Sequence, residues 1–420
     1  MPFGLRREGA KLQNGNLGTD TTSKGNSMAG PLDGIRVFDL TTIYSGPICA
    51  SILGDQGADV IKVEAPDGDW MRNAQFIQRN GVSAAFAMLN RNKRSIVLDL
   101  STEEGQQIAK KMIEQVDVVI ENFRPGVMER LNLSYDTLKD INPNLIFASI
   151  NGVGHSGPYA GRRVYDAIIQ AISGVATLQS DPSVERPVMI NSLICDKLTA
   201  MAAAQSISSA LFARERTGVG QRVDVAMLDA ALFFLWPDNM LNYTFVGDDV
   251  PRLPHGASHT NMVRKTKDGY ICTMPVQREE WLGTFRALEL PNLMEDPTYV
   301  TDTGINNELL QATLNEAFEH FTVEELNERL EAEQVPFSKI NSREDVINDP
   351  QVKAINSLWE FDHPFGGAMR QARPPGRFSE TPAEIFRCSP ELGEHTREIL
   401  AEFGFSEDEV AEFTQNNIAR

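Results

Sequence analysis

One carboxylate in this sequence is better placed for covalent chemistry than any other side chain. Asp196 stands where an apolar run, Pro187-Val-Met-Ile-Asn-Ser-Leu-Ile-Cys195, meets a long Ala- and Ser-rich stretch, Lys197 to Arg216, closed by Thr217-Gly218. Read locally, it is a helix N-cap whose carboxylate accepts from backbone N–H groups of the first turn. The same place suits catalysis, because the helix dipole keeps a carboxylate ionised and N–H donors lie close enough to steady a tetrahedral oxyanion. The two readings are compatible, and local sequence leaves both open.

Other chemistry is thinner on the ground. Arg72, Arg124, Arg130, Arg162 and Arg163 gather in or just past the loop-like segments Thr41 to Pro47, Ala65 to Arg72, Glu121 to Gly126 and Asn151 to Gly157. In a chain of net charge −19 that gathering suggests a local pocket for a phosphate-bearing anion, or simply polar loops solvated by arginine. Gly152-Val-Gly-His-Ser-Gly157 matches GxGxxG, but it follows the fifth strand-like run, and Pro158-Tyr-Ala-Gly-Arg-Arg163 replaces the helix whose N-terminus should hold a pyrophosphate. A nicotinamide-dependent dehydrogenase is therefore disfavoured. His255 and His259 are four apart in a Pro/Gly-rich loop with no carboxylate nearby, so no metal site is expected. No GxSxG elbow occurs and no cysteine adjoins a histidine, so a Ser or Cys nucleophile is unsupported.

The elements that must position Asp196 are legible as alternating patterns. Ile35 to Leu40, Asp59 to Glu64, Ser95 to Leu100, Asp117 to Glu121 and Leu145 to Ile150 read as five strands, separated by helical segments such as Pro47 to Gly57 and Thr102 to Gln115. Such βαβ units predict a doubly wound parallel sheet with helices on both faces. Ligands of open α/β sheets bind beyond the carboxyl ends of the strands, where the loops above lie. After the Ala/Ser-rich helix, a second helix is expected over Asp224 to Trp236, apolar almost all round and suited to a central place or a subunit interface. A smaller region follows, with a hairpin at Lys267-Asp-Gly269 and helices near 279–288, 306–320 and 323–333. The expected division is a flexible leader at 1–30, a large α/β domain at 31–235, a small α+β domain at 250–345 and a return segment at 346–420 packing on the large domain.

Composition bounds the class. With 41% hydrophobic and 23% charged residues the chain is globular rather than disordered. Lys plus Arg (39) against Asp plus Glu (58) argues against nucleic acid as a partner. The four cysteines form no CxxC pair, which fits reduced thiols in the cytoplasm. No apolar run reaches the ~18 residues a membrane span needs, and the first thirty residues carry no apolar signal core.

Several segments, in order, resemble class III CoA-transferases, the formyl-CoA transferase and carnitine CoA-transferase type. They are Pro31 to Leu40, Gly57 to Glu64, Asn92 to Leu100, Glu121 to Gly126, Gly152 to Pro158, Tyr165-Asp166 with Gln170 to Gly174, Thr217 to Gln221 and Leu392 to Thr396. The resemblance runs from about residue 31 to the C-terminus. It implies a nucleophilic aspartate at Asp196 and coenzyme A held near Tyr44, Ser45, Leu98, Asn122, Phe123, Arg124, Arg130, Arg163 and Tyr165. Family members often carry a basic residue just after the second strand's Glu. Ala65 stands there, so Arg72 is the expected substitute. The formyl-CoA branch has a glycine run over its site that His255-Gly-Ala-Ser-His259 does not reproduce, which argues against oxalate or formate as substrate.

The resemblance also implies an interlaced homodimer, acyl-CoA and a carboxylic acid as substrates, and no metal or tightly bound cofactor. Its chemistry moves CoA from an acyl-CoA to an acceptor acid through an aspartyl anhydride and an aspartyl-CoA thioester. Two alternatives stand beside it: a 2-methylacyl-CoA racemase of the same fold, and a non-catalytic binding protein on this scaffold. The racemases have a histidine base where this chain has Tyr165, and phenols ionise only near pH ~10, a poor match to proton abstraction at neutral pH.

Overall fold

The computed structural model describes residues 30–74, 77–179, 186–247, 249–250, 262–290, 292–301, 304–305 and 307–420. The expected leader at 1–30, Gly30 apart, and the loop at 255–259 lie outside them. The chain divides into two compact units: residues up to Leu235 with Phe361–Met369 and Pro374–Arg420, and Trp236–Glu360 with Arg370–Arg373.

The first unit is built on a six-stranded sheet of β1 (Arg36–Asp39), β2 (Asp59–Glu64), β3 (Lys93–Val97), β4 (Val118–Glu121), β5 (Ile146–Asn151) and β6 (Gln221–Ala226). All pairs are parallel and the spatial order is β3-β2-β1-β4-β5-β6. The sixth strand corrects the expectation of five strands and of a helix starting at Asp224. Gln221-Arg-Val-Asp-Val-Ala226 alternates, and Val223 and Val225 lie against the core while the residues between them face out.

Successive strand residues feed opposite faces. Phe38, Ile61, Val119 and Phe147 pack beneath α2 (Glu103–Ile113) and two C-terminal helices, Thr396–Glu402 and Glu407–Gln415. Val37, Val60, Val118, Ile146 and Ala148 pack beneath α1 (Ser45–Asp55) and the long helix α4 (Ile194–Thr217). Between α2 and α4 the chain forms α3 (Asp166–Ser173). The Ala/Ser richness of α4 is explained by Ala200, Ala203, Ala204 and Ala210, which are buried where α4 lies along α1. At the sheet's outer edge Leu98 pairs with Ala419, and the Asp99 N–H donates to the Ile418 carbonyl at 2.8 Å.

Two fully buried lysines, Lys62 within β2 and Lys93 at the start of β3, reach the segment that follows β1. Lys93 Nζ donates to Asp39 (2.8 Å), Asn90 (2.9 Å) and the Pro47 carbonyl (3.0 Å). Lys62 Nζ donates to Asp69 (2.9 Å) and the Thr41 carbonyl (3.0 Å). Burial pulls Lys93 down to about 8, against the opposing charge of Asp39.

The second unit has a three-stranded antiparallel sheet of β7 (Val263–Lys265), β8 (Tyr270–Thr273) and β9 (Phe337–Lys339), β8 in the middle. Helices Arg278–Ala287, Asn307–Phe318 and Val323–Ala332 bury Phe285, Leu314, Phe318, Leu326 and Leu330 with Ile271. Capping boxes, Gln277 with Glu280 and Thr322 with Glu325, fix two of the helix starts.

Removing one partner of a fully desolvated pair strands the other charge. Lys93→Ala is expected to cost about 3–5 kcal/mol in urea unfolding. The double variant Lys93→Met, Asp39→Leu should recover most of that loss. A single variant within 1 kcal/mol of wild type, taken as an order-of-magnitude limit (~1 kcal/mol), would contradict this account.

Candidate active site

In a sheet of this order the crevice opens at the carboxyl ends of β1 and β4, where the strand order reverses. Asn122, just past β4, bridges that point. Its side-chain oxygen accepts from the Thr42 N–H at 2.9 Å, and its Nδ2 donates to the Thr42 carbonyl at 2.8 Å. Ile43 follows at a φ of 74°, the left-handed region in which a β-branched residue is strained. The turn makes Tyr44 the N-cap of α1 and Ser45 its first residue. Gly46 permits the close return of the helix onto the loop, since a Cβ there would stand 2.3 Å from that of Thr41.

Asp196 faces this helix start from the first turn of α4. It is not the N-cap, which is Leu193. The capping is done from α3: the Asp166 Oδ2 accepts from the N–H groups of Cys195 (2.7 Å) and Asp196 (3.1 Å). Two expectations are corrected together. Asp196 does not accept from its own first turn, and these two N–H groups are taken, so they are not free for an oxyanion. Nor is the dipole the dominant influence on Asp196. Burial and the negative charge of Asp166 push its pKa up to about 6, against the pull of the Ser45 hydroxyl and N–H and of Lys197. A group at that value is still about nine-tenths ionised at pH 7. Burial and the charge of Asp196 hold the Tyr44 phenol above its ordinary value, and burial pushes the Cys195 thiol up to about 12.

The other expected residues fall into two groups. Arg124, Arg130 and Arg163 are exposed, Arg130 donating to the Gly126 carbonyl at 3.1 Å. Tyr165 is 63% exposed at the N-cap of α3, and Phe123 is half-buried against the core beyond β4. These groups are open to a ligand. Arg72 and Leu98 are more engaged with the fold. The Arg72 guanidinium donates twice to Glu64 (2.8 and 2.6 Å) and once to the Pro390 carbonyl (3.0 Å), and it stacks 3.8 Å from the centre of the Phe86 ring. Its charge is thus paired within the fold. Leu98 is 1% exposed with its N–H on the Glu64 carbonyl, because the C-terminal segment covers that edge.

The glycine fingerprint forms no phosphate cradle. Gly154 and Gly157 have φ of 89° and 93°, and the chain turns on through 157–161, reaching a helix only at Asp166. His155 instead lies 2.9 Å from Asp224 on β6.

Residues 32–396 match the profile of CoA-transferase family III. The chain belongs to that family. A succinate–glutarate CoA-transferase of Agrobacterium fabrum is 34% identical, over 89% of this chain and 95% of its own. A formyl-CoA:oxalate CoA-transferase of Escherichia coli O157:H7 is 32% identical, over 93% of this chain and the whole of its own. Among solved structures, a CAIB/BAIF family protein from Brucella suis superposes with a TM-score of 0.76 at 35% identity, covering 89% of this chain and 100% of that one. A Mycobacterium tuberculosis protein gives 0.78 at 30%, covering 88% and 99%. This CoA-transferase therefore uses acyl-CoA and a carboxylate as substrates. Among the described residues no helix is long and apolar enough to cross a membrane.

Sequence reasoning missed Asp166 and Gln170 as parts of the site of this family III enzyme, although both lie in a stretch that carries the family resemblance. It also missed the strain at Ile43, for which an isoleucine gives no signal.

The raised pKa has a consequence for stability. A carboxyl whose folded pKa lies above its ordinary value supports the fold when protonated, and that support is lost as pH rises through about 6. Asp196→Asn should therefore be more stable than wild type at pH 8, by about 1–3 kcal/mol in denaturant melts. At pH 5 the advantage should shrink. Equal stabilities at pH 8 would show that burial does not oppose the charge.

Proposed function

We propose that this enzyme moves coenzyme A between two carboxylic acids by acylating and then thioesterifying Asp196. The carboxylate oxygen of Asp196 attacks the donor thioester carbon, the C–S bond breaks, and CoA leaves as its thiolate with the electron pair. An aspartyl–acyl anhydride remains. The thiolate then attacks Cγ of Asp196, expelling the donor carboxylate and leaving an aspartyl-CoA thioester. The acceptor carboxylate attacks that thioester, and the released thiolate takes the new acyl group from the second anhydride, restoring Asp196. No proton or electron is gained or lost over the cycle.

What supports this reading above all is the Asp196 carboxylate itself, half-buried, ionised at neutral pH and turned to the first residue of α1 at the family's CoA-binding edge. With the α4 amides occupied, the Ser45 N–H is the donor best placed to steady an oxyanion. Tyr44, Asn122, Phe123, Arg124, Arg130, Arg163 and Tyr165 are the proposed CoA contacts. The racemase alternative lacks a base at Tyr165.

We propose further that the enzyme is a cytoplasmic homodimer with interlaced chains. Exposed apolar side chains on α4 (Met201, 60%, and Phe212, 66%) and on the helix Met227–Asn239 (Phe233, 82%) support association. The acceptor is a carboxylic acid other than oxalate.

Asp196→Ala should lower transfer by at least about 10³-fold while CoA binding stays within about threefold. Hydroxylamine added during turnover with a panel of acyl-CoAs and acids, oxalate included, should leave a hydroxamate at residue 196, found by peptide mass mapping. Near wild-type turnover of the variant, or product without modification at 196, would refute the covalent route. Light scattering should give twice the chain mass, and a monomer would refute the dimer.

A further inference from the structure

The α3 helix is fastened to the start of α4 by two adjacent-turn side chains, both 2% exposed. Asp166 accepts from Cys195 and Asp196 through Oδ2, and its Oδ1 accepts from Gln170 Nε2 at 2.6 Å. Gln170 in turn holds the segment leading into α4. Its Nε2 donates to the carbonyls of Ile190 and Ser192 (both 3.2 Å), and its Oε1 accepts from the Ile190 N–H at 2.9 Å. One carboxylate thus sits at the N-termini of two helices, where their dipoles favour its charge.

We infer that Asp166 is the positioning residue of the transfer reaction: by occupying the first amides of α4 it leaves the Asp196 carboxylate to Ser45 and the substrate, and it keeps a second negative charge against the nucleophile. The inference rests on Asp196 being the nucleophile. If the Cys195 and Asp196 amides were free, the Asp196 carboxylate would have donors on its own helix and a weaker reason to face α1. The second charge makes the nucleophile more basic, hence more reactive, while leaving it ionised at neutral pH. The charged and titratable groups around Asp196 are Asp166 from α3, Tyr44 with the Ser45 donors from α1, and Lys197 and Cys195 from α4. Of these only Asp166 both bonds the backbone of residue 196 and opposes its charge.

The test is the pH dependence of kcat/KM in Asp166→Asn, with melting temperature and acyl-CoA KM measured alongside. The amide keeps an acceptor for the α4 N–H groups and removes the charge. The acid limb, near pH 6 in wild type, should move down, with burial still holding it above the ordinary carboxylate range, and kcat should fall about threefold or more as the nucleophile becomes less basic. KM should stay within about threefold. An unmoved limb, whether or not melting temperature drops, would reduce Asp166 to a structural cap and overturn the inference. Should Asp166→Asn not fold, Asp166→Glu carries the test, because it restores the charge: a limb retained near pH 6 supports the inference, and one displaced downward overturns it. Hydroxylamine trapping on wild type separates the two levels. No hydroxamate at 196 defeats the covalent reading itself, whereas trapping there with an unmoved limb defeats only the role of Asp166.

Discussion

Two buried lysines hold the working edge of this enzyme. Lys93 and Lys62 each carry a charge into a place with no water, and each is compensated by an aspartate and by a backbone carbonyl, that of Pro47 in the first turn of α1 for Lys93 and that of Thr41 in the β1–α1 connection for Lys62. Those carbonyls, of Thr41 and Pro47, bracket the residues that face Asp196. A neutral core could have packed this edge as well or better, since buried ion pairs add little net stability over apolar isosteres. What the charges supply is direction: the loop must present these oxygens to these ammonium groups, and only one course of the chain does so. Asn122 adds a second constraint from β4 through Thr42. Between the two sets of bonds Ile43 has no choice but the left-handed region.

The same logic recurs at the nucleophile. α1 and α4 lie side by side because small residues let them approach, and their N-termini reach the same edge of the sheet. A carboxylate placed there would ordinarily be held low by the amides of its own helix. Asp166 takes those amides first. The result is a carboxylate set by what surrounds it, raised by burial and by a like charge and then lowered in part by Ser45. On the proposed route such a group serves as attacking oxygen and later as leaving group. Both roles favour a basicity close to that of the acids being exchanged, provided the group stays ionised.

How far this could be read from sequence differs by level. Strands β1, β2, β4 and β5 were legible because continuous β-branched runs buried on both faces leave a strong pattern. β6 was not, because Gln221, Arg222 and Asp224 make it half polar at the sheet's edge and the apolar helix after it masks its short alternation. The prominence of Asp196 was legible from its place before an Ala-rich helix, but that helix starts three residues earlier than the pattern suggests, at Ile194 rather than Lys197. Ile194 and Cys195 look like the end of an apolar run, and the amides of Cys195 and Asp196 are satisfied by a side chain 29 and 30 residues away. The roles of Arg72 and Leu98 followed from the family's pattern. In the fold these two residues meet Glu64, Pro390 and the C-terminal segment, contacts that span from 8 to 321 residues of sequence and leave no local mark.

That last difference bears on how this chain holds the phosphate end of its substrate. A basic residue after the second strand is replaced by Ala65, and the nearest arginine, Arg72, is closed upon Glu64 and stacked on Phe86. Opening that pair would leave Glu64 buried without its partner, a cost of several kcal/mol (~3–5) that one phosphate contact does not return. Positive charge toward the anion must then come from groups already in water. Arg124, Arg130 and Arg163 meet that condition, all exposed: Arg124 and Arg163 on loops after β4 and β5, Arg130 at the end of the short helix Val127–Arg130. In a chain of net charge −19 they make a local exception to the repulsive field, and an exposed arginine can meet a phosphate without first being desolvated. On the proposed reading, positive charge for the anion comes less from β2 than from the side of the switch point where Tyr165 and Asp166 begin α3.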